Sequence, residues 1–342
     1  MTPDGATALA CSNIAFVKYW GNLDPALRLP FNDSVSMNLS AATTTTAVEL
    51  DHDLQRDTVE VDGRLLTGAA LERAVAQLDL IRARAGLDAR ARVVSRNTFP
   101  MGTGIASSAS GFAALTLAAA RACGLRLDEA QLSAIARRGS GSAARSVPGG
   151  FVDWHAAATD EASYARSLAA PAHWDLTDVV AVVSREHKAV GSSGGHAAAL
   201  TSPHFAARLS LLPGRLAVAR EAIADRDLAR LGPMIEEEAL CLHAVALTSR
   251  PPLIYWTGAT VSLLSQVARW RSDGLPVFFT LDAGPNVHLI CEGRHAPAVE
   301  SLARGLPYVE SVLVNEPGGP ARIVPPVARH PSSGDGEPER GA

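Results

Sequence analysis

Apolar and β-branched positions in the N-terminal half follow first a strand period and then a helix period. Residues 43–50 are β-branched and partly alternating, which predicts a strand, and residues 57–66 are predicted to pair with it through a turn at Asp62-Gly63. The segment 71–85 has a helical period and is followed by the stop residue Gly86. Its apolar stripe consists of Leu71, Val75, Leu78 and Ile81.

The next predicted elements are a strand, a glycine-rich turn and two helices. Residues 90–96 are predicted to form a strand that leads into a glycine-rich turn and then into a helix of small residues from Ser107 to about Arg121. Asp128 is the predicted N-cap of a further helix, which runs through Arg138 and ends at Gly139. The glycine turn therefore lies where a strand passes into a helix.

The second half begins with a predicted strand at 178–184 and a glycine-serine loop at 190–195. Three helices are predicted to follow, at about 204–225, 233–248 and 258–273. A hairpin over 276–291 carries Asp282 at its turn. The last predicted elements are a helix at about 295–304 and a strand at about 308–314. This order predicts an α+β layer with a split β-α-β arrangement.

Composition indicates a chain with more than one core. With 342 residues, of which 47% are hydrophobic, two domains are expected. The net charge of −4 provides no basic field for nucleic acid or an anionic membrane, so an anionic substrate would have to be bound by local groups. From Pro331 onward the sequence has almost no apolar residues, which predicts a disordered tail.

The spacing of the cysteines and the length of the apolar runs indicate the cellular compartment of the protein. The four cysteines are widely separated and contain no Cys-x-x-Cys pair, which argues against a disulfide framework and against a thiolate zinc site. No signal-peptide pattern is present, and no apolar run approaches the roughly 18 residues that a membrane helix needs. We expect a cytoplasmic protein with no membrane partner. The cysteines are Cys11, Cys123, Cys241 and Cys291.

The segment 100–110 (PMGTGIASSAS) has the character of an anion site. Gly102 and Gly104 allow a tight turn close to a ligand, and the free N–H groups and dipole of the following helix favour phosphate. A Walker loop would require lysine, which is missing, so any phosphate loop here is of another kind. Taken alone, the pattern is equally typical of a simple tight turn.

Three further polar features have both a chemical and a structural interpretation. Lys18 lies in a strand pattern and on composition alone is expected to be a surface lysine. Ser140, Ser142 and Arg145 follow a helix stop, where hydroxyls and a guanidinium can converge on a phosphate or carboxylate, although Arg145 could equally pair with a local acid. Asp282 is either an ordinary turn former or a carboxylate held on a rigid hairpin as a base.

Acidic and histidine residues elsewhere give weaker signals. The run Glu236-Glu237-Glu238 is interpreted as a solvated helix face rather than a metal site. His187 and His196 flank the glycine-serine loop without metal-ligand spacing, and we assign them no role.

Three segments together resemble the mevalonate diphosphate decarboxylases of the GHMP kinase superfamily. They are 13–21 (NIAFVKYWG), 99–114 with 139–145 (GSGSAAR), and 282–286 (DAGPN). The resemblance runs in order from about residue 8 to residue 316. It implies a GHMP kinase fold, with two α/β domains and the active-site cleft between them. The implied division is 1–185 for an N-terminal domain with the phosphate loop, 186–325 for a ferredoxin-like C-terminal domain, and 326–342 for the tail.

The resemblance also implies a reaction. ATP would phosphorylate the tertiary 3-hydroxyl of a phosphorylated mevalonate, and loss of that phosphate together with CO2 would leave an isopentenyl product. Hydroxide is a poor leaving group and phosphate a good one, so the phosphorylation prepares an elimination in which positive charge develops at C3. The implied cofactors are ATP and Mg2+, and the implied assembly is a homodimer.

The family's functional residues carry over to matching positions of this chain. Asp282 would orient and deprotonate the 3-hydroxyl, Lys18 would lie beside it, and Arg145 would hold the carboxylate. The implied substrate-binding positions are Asn13, Tyr19, Trp20, Gly21, Asn22, Arg73, Ser140, Gly141, Ser142, Ser192 and Ser193. The implied nucleotide-binding positions are Ser95, Asn97, Gly102, Gly104, Ala106, Ser107 and Ser108. No residue is implied as a direct metal ligand.

Two departures from the family pattern bear on the substrate. Members that act on the diphosphate usually carry lysine where this chain has Asn22, and often arginine or threonine where it has Ser193. Each lost charge-assisted contact costs about 1.5–3 kcal/mol. The resulting hypothesis is that the substrate is (R)-5-phosphomevalonate and the product isopentenyl phosphate. The alternatives are diphosphomevalonate decarboxylation, a mevalonate 3-kinase without decarboxylation, and a non-catalytic nucleotide sensor.

Overall fold

The computed structural model describes residues 5–99, 107–186 and 190–325. The predicted tail at 326–342 and the glycines of the predicted phosphate loop lie outside these residues. The strands are β1 (Gly5–Ala15), β2 (Asn22–Asp24), β3 (Leu29–Pro30), β4 (Ser34–Asp51), β5 (Thr58–Val61), β6 (Arg64–Leu65), β7 (Arg90–Asn97), β8 (Phe151–Trp154), β9 (Ala165–Ala169), β10 (Leu176–Val182), β11 (Phe278–Thr280), β12 (Val287–Glu292), β13 (Ser311–Asn315) and β14 (Arg322–Val324). The helices are α1 (Gly68–Ala85), α2 (Ser107–Ala122), α3 (Glu129–Gly139), α4 (Ser192–Ala199), α5 (Phe205–Asp225), α6 (Leu228–Leu247), α7 (Gly258–Ser272) and α8 (Ala296–Arg304).

The first sheet has the strand order β14-β1-β4-β7-β5-β6, and β8 and β9 extend it beside β4. β1 and β4 pair antiparallel along most of their length, from Gly5 opposite Glu49 to Ala15 opposite Ser36. Helices α1, α2 and α3 pack on this sheet through a core rich in alanine. Small side chains on α2 let the helix approach the sheet closely, which fixes where its first turn lies.

The second sheet has the order β11-β12-β10-β13, with every neighbouring pair antiparallel. Helices α7 and α8 pack against it through a separate apolar cluster. A third cluster joins the two sheets, because Met37 of β4 and Val180 of β10 share it with side chains of α5 and α6. The two halves of the chain therefore hold a common core, which sets the relative position of the surfaces facing the cleft between them.

Several predicted elements are confirmed with their local causes. Asp128 caps α3, since its side chain accepts from the backbone N–H of Gln131 in a complete capping box. α1 ends at Gly86, which has a left-handed backbone (φ 64°). The hairpin of β11 and β12 forms as predicted, with Asp282 in its connection. Within the described residues, no helix is long and apolar enough to cross a membrane.

Other predictions were wrong. The segment 57–66 does not pair with 43–50: it forms its own small hairpin at Asp62-Gly63, and β5 pairs in parallel with β7. The predicted glycine-serine loop is instead the start of α4, because the alanines that follow it extend a helix through these residues. α6 begins at Leu228 rather than at Pro233, because Asp227 caps it there.

The two sheets do not divide the chain at a single position. β10, at 176–182, belongs to the second sheet, and the predicted boundary at 185 comes after it. β14, at 322–324, returns to the first sheet and pairs with β1. The second sheet therefore contains one strand that precedes residue 185, and the first sheet contains one strand that follows it.

Gly150 provides a test of the packing between β8 and its surroundings. Its backbone is left-handed (φ 75°), and a Cβ there would lie 2.2 Å from the carbonyl oxygen of Ala169. Gly274 has a similar backbone (φ 95°) but open space around the Cβ position. Both Gly→Ala changes incur the left-handed strain, so Gly150→Ala is expected to cost about 1–3 kcal/mol more in unfolding free energy than Gly274→Ala. Equal shifts of the two urea midpoints would contradict this packing.

Candidate active site

A cavity of about 320 Å3 lies between the two halves of the structure. Among the described residues, its lining carries four cationic side chains and one carboxylate, although the chain as a whole is acidic. The first turns of α2 and α4 also reach it, so two helix N-termini add their partial positive charge. The described residues that line it are Ala15, Lys18, Tyr19, Trp20, Arg28, Arg73, Ser107, Ser108, Ser140, Gly141, Ser142, Arg145, Gly191, Ser192, Ser193, His196, Leu242, Asp282 and Ala283.

Lys18 and Asp282 form an ion pair across the cleft. The Lys18 Nζ donates to Asp282 Oδ1 at 2.9 Å and to the carbonyl of Ala15 at 2.6 Å. The lysine side chain is 1% exposed, whereas Asp282 is 24% exposed and faces the cavity. The expectation of a surface lysine was wrong, because Lys18 follows β1 into the shared core, where only a carboxylate can compensate a buried ammonium.

Two helices of the second half also hold the main chain of Lys18. Glu238 of α6 accepts from the Lys18 backbone N–H at 3.2 Å, and Arg208 of α5 donates to the Lys18 carbonyl at 2.8 Å. Glu238 is fully buried and pairs with Arg208 and with Arg215. The main chain is thus held on both sides of the Lys18 Cα.

The prediction of a solvated acidic face at 236–238 was therefore wrong for two of its three residues. Only Glu237 is well exposed, at 70%. Glu236 forms a paired contact with Arg271, and Glu238 has the arginine partners described above. A helix with 3.6 residues per turn places three successive side chains on different sides, so the run could not share one face.

The ionisation of the pair follows from burial and neighbouring charges. Burial lowers the pKa of Lys18, the negative charges of Asp282 and Glu238 oppose this, and the net direction is downward. For Asp282, burial alone would raise the pKa, but the charges of Lys18, His288 and Arg145 outweigh it and hold the pKa below its ordinary value. Asp282 is therefore a carboxylate at neutral pH, with one oxygen bound to lysine and a surface open to the cavity.

Arg145 is held rigidly at the cavity wall. Its Nε and Nη2 donate to Asn13 Oδ1 at 3.2 and 2.9 Å, and its Nη1 donates to Ser34 Oγ at 3.1 Å. Burial is the main cause that lowers its pKa to about 10, so the guanidinium stays charged at neutral pH. Asn13 does not itself line the cavity. Its side chain positions Arg145 and also donates to Ser146 Oγ at 2.8 Å.

The segment after α3, in which Gly141–Ser146 form a 3-10 helix, is pressed against Tyr19. A Cβ at Gly141 would lie 2.4 Å from the Tyr19 ring, so only glycine fits there. Ser140 Oγ lies 3.1 Å from Ser108 Oγ, which brings the start of this segment to the first turn of α2. The Tyr19 hydroxyl and the Asn22 side chain are hydrogen-bonded to each other, and Asn22 does not line the cavity.

His196, to which the sequence assigned no role, is part of the site. Its Nδ1 accepts from the backbone N–H of Gly21 at 2.9 Å, and its ring packs on those of Tyr19 and Trp20. Burial and the charges of nearby arginines lower its pKa to about 3, so it is a neutral acceptor. Gly21 has φ 97°, and a Cβ there would lie 2.8 Å from the Phe205 ring. The only sequence signal for His196 is its place one turn after Ser192.

The predicted nucleotide positions divide into three groups. Ser107 and Ser108 line the cavity. Ser95 and Asn97 are on β7 and outside the lining, where Ser95 contacts Thr46 and Asn97 contacts Asp62. Gly102, Gly104 and Ala106 lie outside the described residues. Across the described ranges, no cluster of three or more histidine, cysteine, aspartate or glutamate residues could hold a metal ion.

Comparison with known proteins places both halves of the chain in one family. Residues 10–165 match the family model of the diphosphomevalonate decarboxylase-like N-terminal domain, and residues 178–312 match that of the mevalonate 5-diphosphate decarboxylase C-terminal domain. The phosphomevalonate decarboxylase of Haloferax volcanii is 32% identical, over 93% of this chain and 97% of its own length. The diphosphomevalonate decarboxylase of Candida albicans is 33% identical, over 87% of each chain.

A solved structure described as MDDEF in complex with MVAPP, AMPPCP and magnesium has a TM-score of 0.89 and 34% identity. The match covers 94% of this chain and 98% of that one. This agreement confirms the α+β class and the GHMP kinase fold that the sequence motifs implied.

The pairing of Lys18 with Asp282 can be measured in a double-mutant cycle. Asp282→Ala leaves a buried ammonium without its counterion and is expected to lower the unfolding free energy at pH 7. Because Asp282 faces the cavity, the loss should be smaller than the roughly 3–5 kcal/mol typical of breaking a fully buried pair. Lys18→Met with Asp282→Ala should cost less than the sum of the single changes, by about 0.5–3 kcal/mol. Strict additivity in urea unfolding would mean that the two groups do not interact.

Proposed function

The chain belongs to the mevalonate diphosphate decarboxylase family, and we propose that it converts (R)-5-phosphomevalonate and ATP to isopentenyl phosphate, ADP, phosphate and CO2. The observation that carries this proposal is the cavity in which an ionised aspartate, a buried lysine and an arginine meet two helix N-termini. The relatives support ATP-dependent decarboxylation of a phosphorylated mevalonate. The choice of the monophosphate rests on the residues discussed below.

The proposed reaction has two steps, a phosphoryl transfer and a decarboxylation with loss of phosphate. In the first, the oxygen of the 3-hydroxyl attacks the γ-phosphorus of ATP, the proton of the hydroxyl is removed, and ADP leaves. In the second, the bond between the carboxyl carbon and C2 breaks, its electrons form the C2–C3 double bond, and the phosphate on C3 leaves. The site must therefore accept a proton, hold a carboxylate and stabilise the charge that moves during both steps.

We assign two roles to Asp282: it removes the proton of the 3-hydroxyl, and it orients that hydroxyl. Its lowered pKa keeps it ionised, and its exposed part faces the cavity. Lys18 donates a hydrogen bond to Asp282 Oδ1, so Oδ2 can accept a hydrogen bond from the substrate. The ammonium also remains close to the phosphoryl group being transferred, where its charge stabilises the transition state.

Arg145 is the group we assign to the substrate carboxylate. Asn13 and Ser34 hold its guanidinium, so little conformational freedom is lost on binding. Ser140, Ser142, Ser192 and Arg73 line the same cavity and would receive the phosphate end. Tyr19 and Trp20 form part of the wall between them, and Gly21 donates from its backbone to His196 of the same wall.

The start of α2 is where we place the nucleotide phosphates, with Ser107 and Ser108 in its first turn. Mg2+ supplies charge neutralisation on the β- and γ-phosphates when it is bound. The described residues offer serine hydroxyls there and no cluster of acids, a donor set that fits an ion held mainly by the nucleotide itself. The similar structure with AMPPCP and magnesium supports this assignment.

The monophosphate is favoured because Asn22 and Ser193, the positions at which the resemblance implies a contact to a second phosphate, are neutral, and Asn22 lies outside the cavity lining. Asn22 is engaged with the Tyr19 hydroxyl, and Ser193 offers only a hydroxyl and the N-terminus of α4. The name of the Haloferax volcanii relative supports the same reading. Diphosphomevalonate is the second candidate, because the Candida albicans relative is named for it and the similar structure contains MVAPP.

The substrate is tested by comparing kcat/KM for phosphomevalonate and diphosphomevalonate. The wild-type protein should prefer the monophosphate, and Asn22→Lys should improve use of the diphosphate by about 10- to 100-fold, since a charge-assisted contact contributes about 1.5–3 kcal/mol. Asn22→Gln is the matched control, because it lengthens the side chain without adding charge. A clear wild-type preference for diphosphomevalonate would establish the second candidate instead.

The decarboxylation is tested by measuring ADP and CO2 together. The wild-type protein should release them in equal amounts, and Asp282→Asn should lower both rates by about 10²–10⁴-fold because the general base is lost. Glu237→Gln, at an exposed carboxylate on α6, is the control and should leave both rates unchanged. ADP release without CO2 would identify a 3-kinase, and full turnover by Asp282→Asn would remove the proposed role of the aspartate.

A further inference from the structure

Arg28 lines the cavity although no sequence motif indicated it. It ends the turn between β2 and β3 and has a left-handed backbone, with φ 53°. This conformation is unfavourable for any residue with a Cβ, because the Cβ comes close to the following carbonyl oxygen. The side chain is half-buried rather than free in solvent. Strained backbone of this kind clusters at active sites and at ligand-binding positions.

Arg28 and Arg73 are anchored in the same way. The Nε of Arg28 donates to the carbonyl of Arg138 at 3.0 Å, and the Nε of Arg73 donates to the carbonyl of Gly139 at 2.7 Å. These are successive carbonyls at the end of α3, directly before Ser140, where the helix dipole is negative. Along the described chain, neither arginine has a hydrogen-bond partner for its terminal nitrogens. The Nε contacts thus fix two guanidiniums at the cavity and leave their terminal N–H groups for a ligand.

The two guanidiniums are also close enough to affect each other. Burial, followed by the charge of Arg28, lowers the pKa of Arg73 to about 10. Arg28 is also one of the charges that oppose protonation of His196. Asp282 is the one carboxylate that the described residues contribute to the lining, and it is already paired with Lys18. Two like charges that line one cavity repel each other, and a bound anion relieves that repulsion.

We propose that Arg28 is a specificity-determining residue that binds the 5-phosphate of the substrate together with Arg73. This inference rests on the proposed function, because it takes the substrate to be a phosphorylated mevalonate. Arg28 provides a cation at the phosphate end of a site whose positions 22 and 193 are neutral. A terminal phosphate carries about two negative charges and three acceptor oxygens. Two guanidinium forks anchored side by side match that group in charge and in geometry.

The test measures KM and kcat for Arg28→Met and Arg28→Lys. Arg28→Met keeps the length of the side chain and removes its charge. It should raise KM for phosphomevalonate by about 10- to 100-fold, since a charge-assisted contact contributes about 1.5–3 kcal/mol, while kcat changes much less and KM for ATP stays the same. Arg28→Lys should recover part of the loss, because it keeps the charge but loses the fork. Arg230→Met, at an exposed arginine paired with Glu221, is the matched control and should change neither constant.

A phosphate-free ligand separates phosphate binding from general damage. Unphosphorylated (R)-mevalonate, used as a competitive inhibitor, should have the same inhibition constant with Arg28→Met as with the wild-type protein. An unchanged KM for both phosphorylated substrates, or an equal weakening of (R)-mevalonate, would overturn the proposal. If Arg28→Met does not fold, Arg28→Lys decides in the same assay: a KM increase without weaker (R)-mevalonate binding supports the role, and an unchanged KM contradicts it.

The same assay keeps this inference apart from the proposed function. A wild-type preference for diphosphomevalonate would overturn the monophosphate assignment. The role of Arg28 would then be decided by the change in KM for diphosphomevalonate between Arg28→Met and the wild-type protein.

Discussion

The site depends on the contact between a buried ammonium and a carboxylate. Lys18 follows a strand of the first sheet, and Asp282 follows a strand of the second, so their 2.9 Å contact joins the two halves at the cavity. A lysine that is 1% exposed is tolerable only with such a partner. Glu238 and Arg208 hold the main chain of the lysine from two helices, which leaves the ammonium little choice of position. The carboxylate is consequently presented in one orientation.

The precision of that contact comes from the apolar core beneath it. Side chains of β1 and β4 pack with those of β10 and β12, and α5 and α6 fill the space between them. Interiors packed in this way resist small displacements. The charged groups of α5 and α6 that reach Lys18 are therefore carried on helices whose apolar faces are fixed elsewhere. The same helices thus contribute apolar side chains to the shared core and charged side chains to the site.

Local chemistry explains what the sequence could predict. Asp128 caps its helix, and the turn that holds Asp282 forms between two apolar strands, because these features depend on neighbours within a few residues. The pairing of 57–66 could not be found that way, since β5 pairs with β7 across the intervening α1. The burial of Glu238 was also out of reach, because its two arginine partners lie on a different part of the chain, 23 and 30 residues away. Arg28 was missed for the same reason, as its anchoring carbonyl is 110 residues further on.

The return of β14 to β1 affects how the protein folds during its synthesis. Thr7 pairs with Val324, so one side of β1 has no partner until nearly all of the described chain has left the ribosome. An unpaired strand edge is a template for wrong pairing with other chains, and contacts between such distant residues form slowly. Completion of the first sheet is thus a late event. A nascent chain stalled before residue 322 would expose that edge and would be a natural target for chaperones.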